Sequence, residues 1–262
     1  MSDRDWPVLR WIAFDAGGTL ISPDPPAPAV YAATARRFGS RLSAGEIAAR
    51  FDEAFRAAEL AELEDLTSAD WSRPDVLTTS EDRERERWRQ IVAHVIDDVE
   101  EPVECFHELF AHFARPESWR CYDDVGETLR TLSSRGCRLA VISNYDDRLN
   151  AICDGLPEFR PIELRVISSH VGCRKPSARF YAALASAAGS RPDELLVVGD
   201  DLVNDVEGAR AAGLHALLLD RSAGPVRKTA GVISSLRELL DYFPPPPSLS
   251  PGRPGPPLAQ NR

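Results

Sequence analysis

The sequence predicts an α/β fold, a parallel sheet between layers of helices, interrupted by an all-helical insertion. Three observations predict it: short apolar runs bounded by turn signals, helix-like stretches alternating with those runs, and a long segment of helical periodicity placed after the first run.

The apolar runs are "WIAFD" (11–15), "RLAVIS" (138–143), "ELRVIS" (163–168), "ELLVVGD" (194–200) and "HALLLD" (215–220). Nearly continuous apolar strands of this length are buried on both faces, as in a parallel sheet. Helix-like stretches accompany the last four: "DDVGETLRTLSSRG" (123–136), "DRLNAICDGL" (147–156), "SARFYAALASAAG" (177–189) and "NDVEGARAAG" (204–213). Strand–helix alternation winds an open sheet through right-handed crossovers, and ligands of such sheets bind at the carboxyl ends of the strands.

Between the first strand and the resumption of the pattern lie "SAGEIAARFDEAFRAAELAELEDL" (43–66), "SEDRERERWRQIVAHVID" (80–97) and "VECFHELFAHFA" (103–114). Each carries apolar residues at three- and four-residue spacing, for example Trp88, Ile91, Val92 and Val95. In the second, Arg83, Arg85, Arg87 and Arg89 interleave with Glu81, Glu84 and Glu86, which reads as a solvated charged face. Residues 1–21 and 120–242 are therefore expected to form the α/β core and 22–119 a helical domain. The last stretch, 243–262, holds eight prolines and is expected to be a disordered tail.

A chain of 262 residues is long enough to bury a large core. Its net charge of −10 and pI near 5.1 argue against nucleic acid or an anionic membrane surface as a partner. The five cysteines (Cys105, Cys121, Cys137, Cys153, Cys173) are odd in number and lack C-x-x-C pairing, which fits reduced intracellular thiols rather than disulfides or zinc. With no leader-like apolar region and no 18-residue apolar run, the protein is expected in the cytoplasm. Nothing in the sequence sets an oligomeric state.

The polar residues at the expected strand ends carry the chemistry. They are Asp15 after the first strand, Ser143 and Asn144 after the second, Lys175 in "GCRKPS" after the third, and Asp200 and Asp201 after the fourth, with Asp205 opening the next helix. Lys175 and Lys228 are the only lysines. Singly these residues have ordinary roles: Asp205 as a helix cap, Ser143 and Asn144 as turn formers, Lys175 as a solvated charge. At the same ends of successive strands they converge on one crevice. Carboxylate ligands of this kind suit Mg²⁺, which keeps waters and substrate phosphate in its shell. Backbone N–H groups of the Gly17–Gly18 loop and of the helix start at 203–205 favour an anion. Together they point to metal-assisted phosphoryl transfer with a carboxylate nucleophile.

The stretches "FDAGGTL", "VISNY", "GCRKPSARFY" and "VVGDDLVNDVEGARAAG" resemble, in order, the four signature motifs of the haloacid dehalogenase (HAD) superfamily. The resemblance implies a three-layer Rossmann-like core, with 22–119 standing where members with a C1-type cap carry that domain. Within the superfamily the chain is similar to the branch of haloacid dehalogenase-like hydrolase domain-containing protein 3, whose first motif often has this Gly-Gly form. The resemblance also implies roles. Asp15 attacks phosphorus, while Ser143 and Lys175 hold the transferring oxygens, with Gly18 and Asn144 beside the phosphate. Asp15, Asp200 and the backbone carbonyl of Gly17 bind Mg²⁺. Asp205 orients Lys175 or a water on the metal, and Asp201 stands next to it.

One position departs from the pattern. Family phosphatases carry a second aspartate where this chain has Gly17, and that acid protonates the leaving oxygen and then activates water. A positioned acid or base contributes roughly 10²- to 10⁴-fold. Asp201, Asp24, His94, His107 and His112 are the candidates to replace it, each read first as an ordinary surface or packing residue. The expected function is hydrolysis of a small phosphorylated metabolite, favouring good leaving groups. Two other readings remain open: a non-catalytic, phosphate-ligand binding or regulatory protein, and, less favoured because the fourth motif keeps its metal carboxylates, a haloacid dehalogenase. A phosphonatase reading fails because the insert has no lysine.

Overall fold

The computed structural model describes residues 9–67, 77–222 and 231–244, with backbone alone for 58–67. The chain opens with β1 (Trp11–Asp15) and β2 (Ile21–Pro23). Four helices follow: α1 (Ala27–Arg37), α2 (Ala44–Thr67), α3 (Glu81–Val95) and α4 (Pro102–His112). After β3 (Trp119–Cys121) the α/β alternation resumes with α5 (Val125–Ser134), β4 (Arg138–Ser143), α6 (Arg148–Gly155), β5 (Ile162–Ile167), α7 (Ser168–Val171), α8 (Ala178–Ala188) and β6 (Leu195–Gly199). A π-helical turn at Leu202–Glu207 runs into α9 (Gly208–Ala211), followed by β7 (His215–Leu219), β8 (Val232–Ile233) and α10 (Leu239–Tyr242).

Six strands form one sheet in the order β5-β4-β1-β6-β7-β8, every pairing parallel. The chain winds outward from β1 through β4 to β5, then returns to the other side of β1 at β6. That reversal puts a topological switch point, and hence a crevice, at the carboxyl end of β1.

Why these runs are strands is visible in β1, where all five residues are buried. Ile12 and Phe14 point to one face and join Val125, Leu129, Leu139 and Val198. Trp11 and Ala13 point to the other and join Ala140, Phe180, Leu184 and Val197. Both faces are covered by helices, so the period-two alternation is apolar on both sides.

The helices α1–α4 build a third cluster around Tyr31, Ile47, Ile91, Val95, Phe106 and Leu109. They leave and rejoin the sheet through β2 and β3, paired antiparallel as Ile21↔Cys121, Ser22↔Arg120 and Pro23↔Trp119. Neither this ribbon nor α1 was expected from the sequence. The strands have three residues each, too short to show a period, and α1 begins among prolines, which a helix tolerates only in its first turn. The helix expected over 204–213 is divided, its first part being the wider π turn. Of the expected tail, Phe243 packs against the core and 245–262 lie outside the described residues. Among the described residues no helix is long and apolar enough to cross a membrane.

Leu129, fully buried between α5 and the sheet, anchors one of the two layers. Leu129→Ala should lower unfolding free energy by about 2–5 kcal/mol in urea denaturation. Val103→Ser, at a position 57% exposed, should shift it by less than about 0.5 kcal/mol. Equal effects would show that the layer is not the stabilising unit.

Candidate active site

Asp15 is the last residue of β1 and Ser143 the last of β4, and the register pairing Asp15 with Ile142 sets the two ends side by side. Asp200 follows β6 on the other flank. Lys175 arrives from the loop between α7 and α8, and its buried Nζ donates to Asp15 Oδ1 and Asp205 Oδ1, both at 2.6 Å. One ammonium thus joins the end of β1 to the π turn. Asn144 fixes that loop: its Oδ1 accepts from the Lys175 N–H at 2.7 Å and its Nδ2 donates to the Lys175 carbonyl at 3.0 Å.

Two glycines are dictated by this crowding. A Cβ on Gly199 would stand 2.1 Å from Asp205 Oδ2, and one on Gly18, at φ +82°, would stand 2.2 Å from Asp200 Oδ2. Gly17 is different. It is exposed, and a Cβ there meets nothing within 4 Å.

A cavity of about 300 Å³ opens above these groups, lined by Asp15, Gly17, Ser143, Asn144, Lys175, Asp200, Asp201 and Asp205 among others. Gly18 is the exception among the expected site residues. Its N–H donates to the Ile21 carbonyl at 2.9 Å and it lies outside this cavity, so the close approach of Asp200 accounts for it better than phosphate contact. Asn144 lines the cavity, but both ends of its amide are engaged by the Lys175 backbone. The helix start expected to attract an anion already has one: Asp201 Oδ1 accepts from the Val203 and Asn204 N–H groups, each at 2.8 Å, and Oδ2 from Asn204 Nδ2 at 2.9 Å. Of the candidates to replace the acid absent at Gly17, Asp24, His94, His107 and His112 do not line the cavity, and Asp201 is tied up as this cap.

Sequence reasoning missed several residues. Thr19 donates to Asp200 Oδ1 at 2.7 Å and holds that carboxylate at the cavity edge. Glu84, read as part of a solvated face, is 1% exposed and accepts from Arg174 Nη1 at 2.7 Å and from Thr79 Oγ1 at 2.6 Å. Its period had marked it: Glu84 precedes Ile91 and Trp88 on the buried side of α3. Backbone bonds from Thr79 N to Gly172 O (3.1 Å) and from Arg174 N to Leu77 O (2.9 Å) stitch the same segment onto the loop that carries Lys175. A second tie is Arg148, paired with Asp146 at 2.7 Å and lying 3.7 Å above the Phe110 ring.

Electrostatically the site is short of positive charge. The carboxyls of Asp15, Asp200 and Asp205 bring ligand oxygens within 4.8 Å of one another, against one ammonium. Burial, opposed by Lys175 and reinforced by Asp205 and Asp200, pushes Asp15 up to about 8. Burial also raises Asp200, despite the Thr19 hydrogen bond. For Lys175 burial works against the charged form, but Asp15 and Asp205 outweigh it and hold the ammonium charged. The donor set is hard oxygen with surplus negative charge, so these residues fit a divalent cation.

Strand ends that bring Asp15, Lys175, Asp200 and Asp205 together beneath one cavity make a candidate active site on a doubly wound sheet. The chain belongs to the haloacid dehalogenase-like hydrolase family, whose model matches residues 9–213. The mouse haloacid dehalogenase-like hydrolase domain-containing protein 3 is 29% identical over 216 residues, spanning 80% of this chain and 82% of its own. Among solved structures, a HAD phosphatase from Thermococcus onnurineus superposes with a TM-score of 0.59 at 22% identity, over 89% of this chain and 97% of its own. A 2-haloacid dehalogenase from Pseudomonas syringae gives 0.57 at 19% identity, over the same shares. Phosphatase and dehalogenase share this fold, so the reaction has to be read from the site.

The raised Asp15 makes a prediction about cation binding. A carboxyl ionising near 8 holds its proton below that pH, and a cation must displace it. Divalent-cation affinity should therefore rise about ten-fold per pH unit from pH 6 toward 8 and then level off. Calorimetry in buffers of different ionisation enthalpy measures both the rise and the released proton. A flat profile over that range would show that Asp15 ionises as an ordinary carboxyl.

Proposed function

We propose that the protein is a Mg²⁺-dependent phosphatase of small phosphorylated molecules that works through an aspartyl-phosphate at Asp15. The observation that carries this reading is Lys175, held between Asp15 and Asp205 on the floor of a cavity that also presents Ser143 and Asp200. Asp15, Asp200 and the Gly17 carbonyl would hold an Mg²⁺ ion, which would supply positive charge to keep Asp15 ionised and to offset the negative charge of the phosphate.

In the first half-reaction an Asp15 carboxylate oxygen bonds to phosphorus as the bond to the leaving oxygen breaks, and the leaving group takes the electron pair. Lys175 and Ser143 hold the transferring oxygens. Asp205 keeps Lys175 oriented, and the Asn144 clamp keeps its backbone in place. In the second half water bonds to the same phosphorus as the bond to Asp15 breaks, the Asp15 carboxylate takes back the electron pair, and the water's proton leaves with the inorganic phosphate or to solvent. Both halves lack the acid–base residue that Gly17 does not provide, so the enzyme favours leaving groups that depart unprotonated. The substrate is a small phosphorylated metabolite. The protein is placed in the cytoplasm, a reducing compartment that suits its five free cysteines.

The retained metal carboxylates favour this reading over dehalogenation. The absent acid favours a second reading, a phosphate-binding protein that does not turn over.

A pre-steady-state assay with p-nitrophenyl phosphate and Mg²⁺, with intact mass of the quenched protein, separates them. The expected result is a burst of one equivalent with a phosphoryl adduct, both lost in Asp15→Asn. Neither product nor adduct would select the binding reading. Because a side chain at Gly17 has open space, Gly17→Asp should fold normally and raise turnover of alkyl phosphates by about ten-fold or more. No gain would show that another group already acts as the acid.

A further inference from the structure

We propose that the cavity above Asp15 and Lys175 is built for a flat, apolar leaving group, an aryl-type group esterified to phosphate. The inference rests on the phosphoryl-transfer reading and adds the identity of the group that departs.

The cavity lining is of two kinds. One is polar, with Asp15, Ser143, Lys175 and Asp200 joined by Arg87, Asn144, Arg174, Asp201 and Asn204. The other is apolar, the half-buried rings of Phe55, Trp88, Trp119 and Tyr145 with Ile21 and Ile152. The rings come from four separate places: α2, α3, β3 and the loop after β4. They touch in series, with centroids 5.7 Å apart for Phe55 and Trp88, 6.3 Å for Trp88 and Tyr145, and 6.2 Å for Tyr145 and Trp119. Rings so placed in an ordinary interior pack shut. Here they border a cavity of about 300 Å³. About 150 Å³ is enough to hold a benzene-sized ring, so a phosphate and one such ring fit together.

The chemistry of the wall narrows the class. A sugar or polyol needs a hydrogen-bond partner for each buried hydroxyl, and an unpaired one is costly to bury. The described residues of 22–119 that line this cavity are Phe55, Trp88, Trp119 and Arg87, three rings and one cation. A flat ring instead meets aromatic surface along the wall. Gly17 points the same way independently. An aryl oxide leaves without a proton, and this site has no side chain at that position to give one.

The test uses the full-length protein loaded with Mg²⁺ and three non-hydrolysable probes: phenylphosphonate, methylphosphonate and inorganic phosphate. Binding is measured by calorimetry and by tryptophan emission, to which Trp88 and Trp119 contribute from the cavity wall. Phenylphosphonate should bind at least about ten-fold more tightly than methylphosphonate and should change the emission. In Phe55→Ser and in Trp88→Leu that ratio should fall toward one. Should the Trp88 variant fail to fold, Phe55→Ser, at a half-buried position, decides alone. Equal affinities for the two phosphonates would overturn the inference and leave the phosphate site standing. A ratio that survives in folded Phe55→Ser would overturn the assignment of the wall. Failure of all three probes to bind would overturn the phosphoryl-transfer reading as well.

Discussion

One ammonium between two buried carboxylates organises this molecule. Lys175 joins Asp15 at the end of β1 to Asp205 in the π turn, with all three side chains withdrawn from water. Buried charges are costly unless paired and hydrogen-bonded, and removing one partner strands the others. The surroundings follow from that constraint. Asn144 clamps the lysine backbone, Gly199 makes room for Asp205, and Asp201 caps the turn that carries Asp205.

The helical insert is bound to the same loop. Glu84 reaches from α3 to Arg174, the residue before Lys175, and the pair is nearly sealed from solvent. A charge pair in this setting breaks reluctantly, because each partner would be left buried and uncompensated. The insert therefore reaches the charged floor through its backbone anchor and the aromatic wall through Phe55 and Trp88. The aromatic lining of the cavity and the placement of Asp15 and Lys175 share one physical connection.

Much of this was legible in the chain. Strands β1, β4, β6 and β7 stand within a residue of their apolar runs because both faces are buried, so the composition alone marks them. Asp15, Ser143, Lys175, Asp200 and Asp205 were found because successive strand ends converge. Interactions set by the third dimension were not legible. The period of α3 marks Glu84 as buried, but nothing local points to its partner, which lies ninety positions away. Tyr145 and Trp119 carry no local pattern that ties them to Trp88. Gly18 and the 203–205 amides read as anion donors because the carbonyl and carboxylate that satisfy them are local features too small to see in a motif.

The open ground beside Gly17 bears on how such a site drifts over generations. Glycine and aspartate codons differ by a single base, and no neighbour stands close enough to a new Cβ to resist the exchange. Neither residue would need repair elsewhere in the fold, so packing does not decide which of the two stands there.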